Sequence, residues 1–459
     1  MKFVKSYLLL FCFLFTTILY AQRGKDGSLV VGTAGKIVNE YTRLTADAAT
    51  GSTSLTVAAS GLNANSRFAA SLAPGDLVMV IQMQGATLSG TALNVGGGNT
   101  LGFPVDNTSG EITNYNNCGN YEFCQVAAVP NSTTITIDCG LQHDYTAAGR
   151  VQVVRVPRYT FLIINIPGTV TCTAWSNAYI GGVVAIEAKN YVTINPSASI
   201  TASALGFRGG ALSGNNSSYG GGQMSATSIN EGAQKGEGVG GYQTDYNPIG
   251  GGQARGAGAN AGGGGDSHNS AGGGGANAGN ILTWDGLGNP DNTGGGWTTA
   301  WNLEAAGFAT HTASGGGRGG YSFAATNQNA TILGPWVSGT NAWAGDFRRN
   351  NGGLGGRPLD YSSGKLFLAG GGGAGDEDNA AGGTGGKGGG LIYINSYGYI
   401  SGAGSITSNG GVGGNSGVDG AGGGGGGGTI VLNAVGTISG ITVNANGGVG
   451  GNQVVGARW

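Results

Sequence analysis

Three stretches decide how this chain is read: GVVAIEAKNYVTINPSASITAS at 182–203, GLIYINSYGYISGAGSITSNGGVGGN at 390–415 and GTIVLNAVGTISGITVNANGGVGGN at 428–452. Laid over one another they share four apolar positions. Val184, Ile392 and Ile430 correspond, then Ile186, Ile394 and Leu432, then Val192, Ile400 and Ile438, then Ile200, Ile406 and Val443. The last two copies also carry NGGVGGN at matching places, 409–415 and 446–452. Apolar residues in alternation, bounded by turn residues, specify short strands. A unit of three such strands cannot bury its own apolar face, whereas stacked copies can, which is the logic of a β-solenoid.

Glycine fills the space between the copies. It accounts for 100 of 459 residues and runs unbroken from Gly422 to Gly428, directly before the strand-like TIVLN of 429–433. Collagen is excluded, because no every-third-residue rule holds and proline is scarce. Two readings of the glycine segments remain open. Glycine has no side chain to bury and loses the most entropy on ordering, which favours disordered loops. Alternatively, side-chain-free segments run side by side in a polyproline-II-like conformation and bond backbone to backbone. Interspersed aromatic residues (Trp284, Trp297, Trp301, Trp336, Trp343, Phe308, Phe323 and Phe347) are uncommon in flexible linkers and favour order.

Upstream of the repeats, residues 23–170 read as an ordinary all-β domain. The runs SLTVAAS, DLVMVIQMQ, YEFCQVAAV, TTITIDC, RVQVVRVPRY and FLIINI recur between turn signals, a spacing typical of a sandwich or barrel. The expected organisation is therefore all-β: a signal segment at 1–22, a sandwich- or barrel-like domain at 23–170, a first solenoid rung at 171–208, a glycine-rich insertion at 209–389, and further rungs with a short glycine-rich loop at 390–459.

The signal segment combines Lys2 and Lys5 with an apolar run from Tyr7 to Tyr20 and a small residue, Ala21, for cleavage. Export into an oxidising compartment favours disulfides among Cys118, Cys124, Cys139 and Cys172. The short polar loop between the first two makes Cys118–Cys124 with Cys139–Cys172 the expected pairing among three. Cys12 falls within the signal. A formal charge of −2 without basic runs gives no electrostatic support for nucleic acid or an anionic membrane as partner.

Chemistry-bearing motifs are sparse. Asp376, Glu377 and Asp378 form an acidic cluster within glycines, a weak calcium candidate whose spacing matches neither the EF-hand nor the GGxGxDxUx calcium repeat. His143, His268 and His311 are scattered and no CxxC occurs, so zinc is not expected. His143-Asp144-Tyr145 sits at an ordinary turn. Glu187 is the one acidic residue at a strand position of the recognised rungs, where a polysaccharide-cleaving enzyme needs a pair. Thr134 and Thr136 form a single Thr-x-Thr, too little for an ice-binding ladder.

The strings PGDLVMVIQMQGA (74–86), GNYEF (119–123), VQVVRVPRY (151–159), CTAW (172–175) and GGVVAIEAKN (181–190), continuing through GFRGG (206–210), KGEG (235–238) and GGGGDSHNSAGGGG (262–275), resemble the N-terminal region of large secreted Bacteroidetes adhesin-like surface proteins. These are substrates of the type IX secretion system, some associated with gliding motility. The resemblance implies export through that machinery, a cell-surface location and no assigned catalytic residues. It also implies a C-terminal sorting domain, so the ending VVGARW is expected to mark a fragment. Two functions follow as expectations: a non-catalytic structural or adhesive surface protein contacting glycans by avidity, or a carbohydrate-active β-helix.

Overall fold

The structure, a computed structural model, describes residues 22–89, 110–212, 232–249, 251–253, 256–265, 270–279, 352–377, 381–417 and 419–451. Residues 1–21 of the signal segment, the aromatic residues of 280–351 and the ending 452–459 lie outside them. Among the described residues regular structure is β, with two short 3-10 turns at Ala147–Gly149 and Gln243–Ile249 and no α-helix.

Two parallel ladders carry the repeat. In the first, Leu29–Val31, Arg158–Ile164, Val183–Ile194, Leu391–Ser396 and Thr429–Ala434 pair in that order. In the second the order is Lys36–Ile37, Thr169–Thr171, Ser199–Thr201, Ser405–Thr407 and Thr442–Asn444. The registers are those of the aligned copies: Val184↔Ile392↔Ile430, Ile186↔Ile394↔Leu432, Val192↔Ile400↔Ile438 and Ile200↔Ile406↔Val443. Ile186, Ile394 and Leu432 meet in one apolar interior with Ile200 and Ile406 from the second ladder. A one-residue slip would turn these side chains to the outside, so the alternation fixes the register. Each fully buried Ile contributes about 1.5–3 kcal/mol.

The expected division at 170 runs between strands that the structure pairs. Leu29–Val31 and Lys36–Ile37 form one rung, Arg158–Ile164 and Thr169–Thr171 the next, with Leu162 registered on Val192 and Val170 on Ile200. The chain from 40 to 156 is thus an excursion between the first two rungs. FLIINI reads as a strand from its alternation, but alternation does not say which sheet a strand joins.

That excursion is built on one antiparallel sheet closed on itself, beside a separate two-stranded pair of Thr87–Leu88 with Ile112–Asn114. Glu40–Arg43, Val151–Val156, Leu77–Gln82, Tyr121–Asn131, Thr134–Ile137 and Ser54–Thr56 pair in sequence. Just beyond its two edge strands, Leu44 bridges Val57, joining the edges as in a small barrel. Inward residues Leu44, Leu55, Val78, Val80, Val126, Ile135, Ile137 and Val153 fill its interior. The alternate residues Met79, Ile81, Val154 and Val156 pack outward against Val183, Ala185 and Leu391 of the first ladder. Burial on both faces explains why LVMVI is apolar throughout.

The glycine segments are bonded to one another with a period of three. Gly370 and Gly373 donate to Ala276 and Gly273; Gly371 and Ala374 donate to Glu237 and Gln234; Gly372 and Gly375 donate to Gly386 and Gly383. Successive residues therefore address three different neighbours, and every third returns to the same one. Gly422, Gly425 and Gly428 likewise donate to Gly414, Gly411 and Ser408, while Gly423 and Gly426 donate to Gly373 and Gly370. Three residues per turn is the repeat of the polyproline-II conformation, whose backbone groups have no internal partners and must find them outside. Gly423 shows why no side chain is tolerated, since a Cβ there would lie 2.0 Å from the Gly273 carbonyl oxygen.

A buried carboxylate ties the regions together. Glu237, fully buried, accepts hydrogen bonds from Arg208 (Nε, 2.7 Å), Trp175 (Nε1, 2.9 Å) and Gln84 (Nε2, 3.0 Å). Its partners come from the barrel strands' end, the stretch after the second rung and the chain entering the glycine segments. Asn39 plays a similar part, bonding Arg155 and both backbone groups of Ala185.

Candidate functional site

The outward-facing residues of the first ladder produce a site. Arg158, Glu187, Asn395 and Asn433 occupy one register position on four adjacent strands. Adjacent strands are about 4.8 Å apart, so these groups form an evenly spaced polar line. All four line a cleft of about 640 Å3 between the ladder and the barrel hairpin formed by Tyr121–Asn131 and Thr134–Ile137. The hairpin contributes Glu122, Phe123, Cys124, Gln125, Asp138 and Cys139 to the opposite wall, and Tyr393 and Tyr397 stand beside the polar line.

Arg158 anchors the inner end. Its Nε donates to Glu187 Oε1 at 2.7 Å and its Nη1 to the Gly75 carbonyl at 2.9 Å and Gln125 Oε1 at 3.2 Å. Both members of the Arg158–Glu187 ion pair are buried. Tyr397 Oη donates to Glu187 Oε2 at 3.5 Å, and the Arg23 guanidinium lies 3.4 Å over the Tyr397 ring. At the outer end Asn433 Nδ2 donates to Tyr393 Oη at 2.9 Å. Phe123 and Tyr121 hold the Tyr393 ring, with centroids 4.8 and 6.0 Å away. Burial, and then the neighbouring Tyr121, pushes the Tyr393 hydroxyl up to about 12, so it stays a neutral donor.

Two of the three carboxylates lining the cleft, Glu122 and Glu187, are engaged in structure. Glu122 accepts from the Gln142 amide (3.0 Å), the His143 amide (3.2 Å) and Tyr145 Oη (3.1 Å), fixing the loop after the hairpin. Glu187 is held by Arg158. Asp138 is exposed at the rim. Rings, amides and hydroxyls on an elongated surface suit binding of an uncharged polar chain.

Of the residues singled out from the sequence, Glu187, Cys124 and Cys139 line the cleft and the others fall elsewhere. His143 is exposed and Asp144 accepts from the Thr50 amide and hydroxyl at 2.7 and 2.9 Å, which lowers its carboxyl. Thr134 and Thr136 belong to the barrel hairpin. Asp376 and Glu377 are buried among the glycine segments, the Asp376 amide donating to Ser270 O at 2.9 Å. Asp378, His268 and His311 lie outside the described residues. Among the described residues no three His, Cys, Asp or Glu side chains are placed to hold a metal.

The expected disulfide pairing is corrected. All four cysteines are free thiols, and they occupy different surroundings. Cys118 lies in the cluster between barrel and ladder, donating to Met83 O at 3.3 Å. Cys124 faces the barrel interior, Cys172 the interior between the ladders, and Cys139 is exposed. Closeness in sequence misled because a strand begins between Cys118 and Cys124 and sends them into separate cores.

No family model and no curated protein matches this chain. Solved structures similar to it include three phage tailspikes. That of Pseudomonas phage phi297 is 17% identical, covers 39% of this chain and 26% of its own, with a TM-score of 0.15. That of Acinetobacter baumannii bacteriophage AP22, solved with A. baumannii capsular saccharide, is 14% identical, with 38% and 28% covered and a TM-score of 0.17. That of Pseudomonas phage LKA1 is 16% identical, with 39% and 29% covered and a TM-score of 0.17. The match spans under a third of each tailspike, and TM-scores of this size carry no argument about activity.

Proposed function

We propose that this chain is an exported surface protein that binds saccharide chains without cleaving them, on a β-solenoid stiffened by a polyglycine-II-like bundle. The observation that carries the reading is the polar line Arg158, Glu187, Asn395 and Asn433, flanked by Tyr393 and Tyr397 in one cleft. Amides and hydroxyls at a repeated spacing match the repeated hydroxyls of a glycan, and aromatic faces pack against the apolar faces of sugar rings. Cleavage would need two carboxyl groups flanking a scissile bond. The structural engagement of Glu122 and Glu187 argues against that role and for a binding protein. Stacked rungs presenting such contacts would act through avidity at a surface. Export, the cell-surface location and the kinship with Bacteroidetes type IX substrates rest on the signal segment and the quoted strings.

The test is titration of the mature chain against a panel of neutral and acidic oligosaccharides, with release of reducing ends followed in parallel. Retention of a neutral oligosaccharide, weakened at least about tenfold by Tyr393→Ala, with no new reducing ends, is the expected result. Binding of no saccharide, or binding indifferent to Tyr393 and Asn395, would overturn the assignment of the cleft. Release of reducing ends abolished by Glu187→Gln would replace it with the enzymatic reading.

A further inference from the structure

We propose that Cys124 and Cys139 form a disulfide that fastens the open end of the barrel hairpin, one wall of the cleft. The register places the two opposite each other. Val126 pairs with Ile137 in this antiparallel hairpin, and the Asp138 amide donates to the Gln125 carbonyl at 3.0 Å. One step further along the same register lie Cys124 and Cys139. Hydrogen-bonded and non-hydrogen-bonded pairs alternate in an antiparallel ladder, so with Gln125 and Asp138 bonded, Cys124 and Cys139 form a non-bonded pair. Such pairs bring Cα atoms to about 4.5 Å and side chains to the same face, at the near end of the range a disulfide spans. Consistent with this, both cysteines line the same cleft. Cys118 and Cys172 have no such opportunity, being buried in two other interiors.

The chemistry needs an oxidant, here a small-molecule disulfide of the oxidised-glutathione class. Exposed Cys139 attacks one sulfur as its thiolate, the glutathione disulfide breaks, and one glutathione leaves as thiolate. Cys124 then loses its proton and attacks the Cys139 sulfur, forming the intramolecular bond and expelling the second glutathione. The two cysteines together give up two electrons and two protons, which reduce one glutathione disulfide to two thiols. Burial, followed by the nearby Glu122 and Asp138 charges, raises the Cys124 thiol, so exposed Cys139 is the thiol that attacks first.

The experiment is peptide mapping by mass spectrometry after incubating the mature chain with oxidised glutathione and alkylating the remaining thiols. The expected product is two hydrogens lighter than the reduced chain, with one linked peptide pair containing Cys124 and Cys139, and with Cys118 and Cys172 alkylated only after unfolding. The link persists in Cys118→Ser and Cys172→Ser and vanishes in Cys139→Ser. A Cys118–Cys124 peptide, a lasting glutathione adduct on Cys139, or both hairpin cysteines alkylated after oxidation would overturn the proposal.

Discussion

The ladders and the glycine segments stack chain upon chain beside each other, yet they hold together by opposite means. In the ladders the backbone bonds run between strands of one sheet, and the side chains Ile186, Ile394 and Ile200 fill the interior between the two sheets. In the glycine runs there is almost no side chain to bury beyond alanines such as Ala374 and Ala421. Gly423 is bonded to Gly373, its carbonyl accepts from Gly386, and the space a Cβ would need belongs to Gly273. The first region is held by apolar surface removed from water and the second by satisfied backbone groups at close approach. A ladder therefore tolerates a smaller side chain at some cost, whereas the array at a position such as Gly423 tolerates no larger one. Flexibility of glycine in the unfolded chain is not flexibility in the array, where neighbours on every side fix it.

Gly423 puts the contrast to the test. Gly423→Ala thrusts a methyl group into a carbonyl oxygen with backbone behind it, and is expected to cost more than about 4 kcal/mol, the exceptional end for a point change. Urea unfolding of the purified chain measures it, and a loss under about 1 kcal/mol would show that the array yields. Next comes the tie between regions. Glu237→Ala leaves Arg208 and Trp175 without their acceptor, and Gln84 with the Gly238 carbonyl, and is expected to cost about 3–5 kcal/mol, as for one partner removed from a buried ion pair. Ile394→Ala, which opens a cavity between the ladders, is expected to cost about 2–5 kcal/mol, and Ile394→Val about 1 kcal/mol. Equal losses for the two would mean that the site collapses and that side-chain volume is not what the ladder measures.

Alkaline pH separates the interiors more gently. Burial pushes the Cys118 and Cys172 thiols up to about 12 in the folded chain, from an ordinary value of 9.0. A folded value above the unfolded one gives a contribution that is complete below about pH 9 and declines as pH rises toward 12, because the unfolded chain ionises first. The urea midpoint is therefore expected to be insensitive to these thiols at pH 7–8 and to fall above pH 9, less steeply in Cys172→Ala.

How much of this was legible beforehand depended on the kind of signal. The alignment of Ile186, Ile394 and Leu432 could be read because strand alternation and tight turns leave the same spacing in each copy. Two further rungs went unread. Leu29–Val31 is too short to stand out, and FLIINIPGTVT, whose Leu162 and Val170 sit on Val192 and Ile200, lay among barrel strands of the same composition. The Asn165 to Asn195 side-chain bond, 2.6 Å, marks a correspondence that comparing IINIP with TINP would have found. The cleft was hidden for another reason. The alignment rests on apolar positions, whereas Glu187, Asn395 and Asn433 are its outward residues; their barrel-side partners Phe123 and Glu122 come together with them only in three dimensions. Disulfide pairing failed because sequence distance says nothing about which face of a strand a cysteine occupies.

Native-state amide hydrogen exchange, followed by mass spectrometry over 370–375 and 422–428, addresses the glycine array directly. Slow exchange there, comparable with that of Leu391–Ser396 in the first ladder, is the expected result. Exchange of these glycine amides at the rate of an unstructured peptide, while the ladder stays protected, would contradict a packed and bonded array.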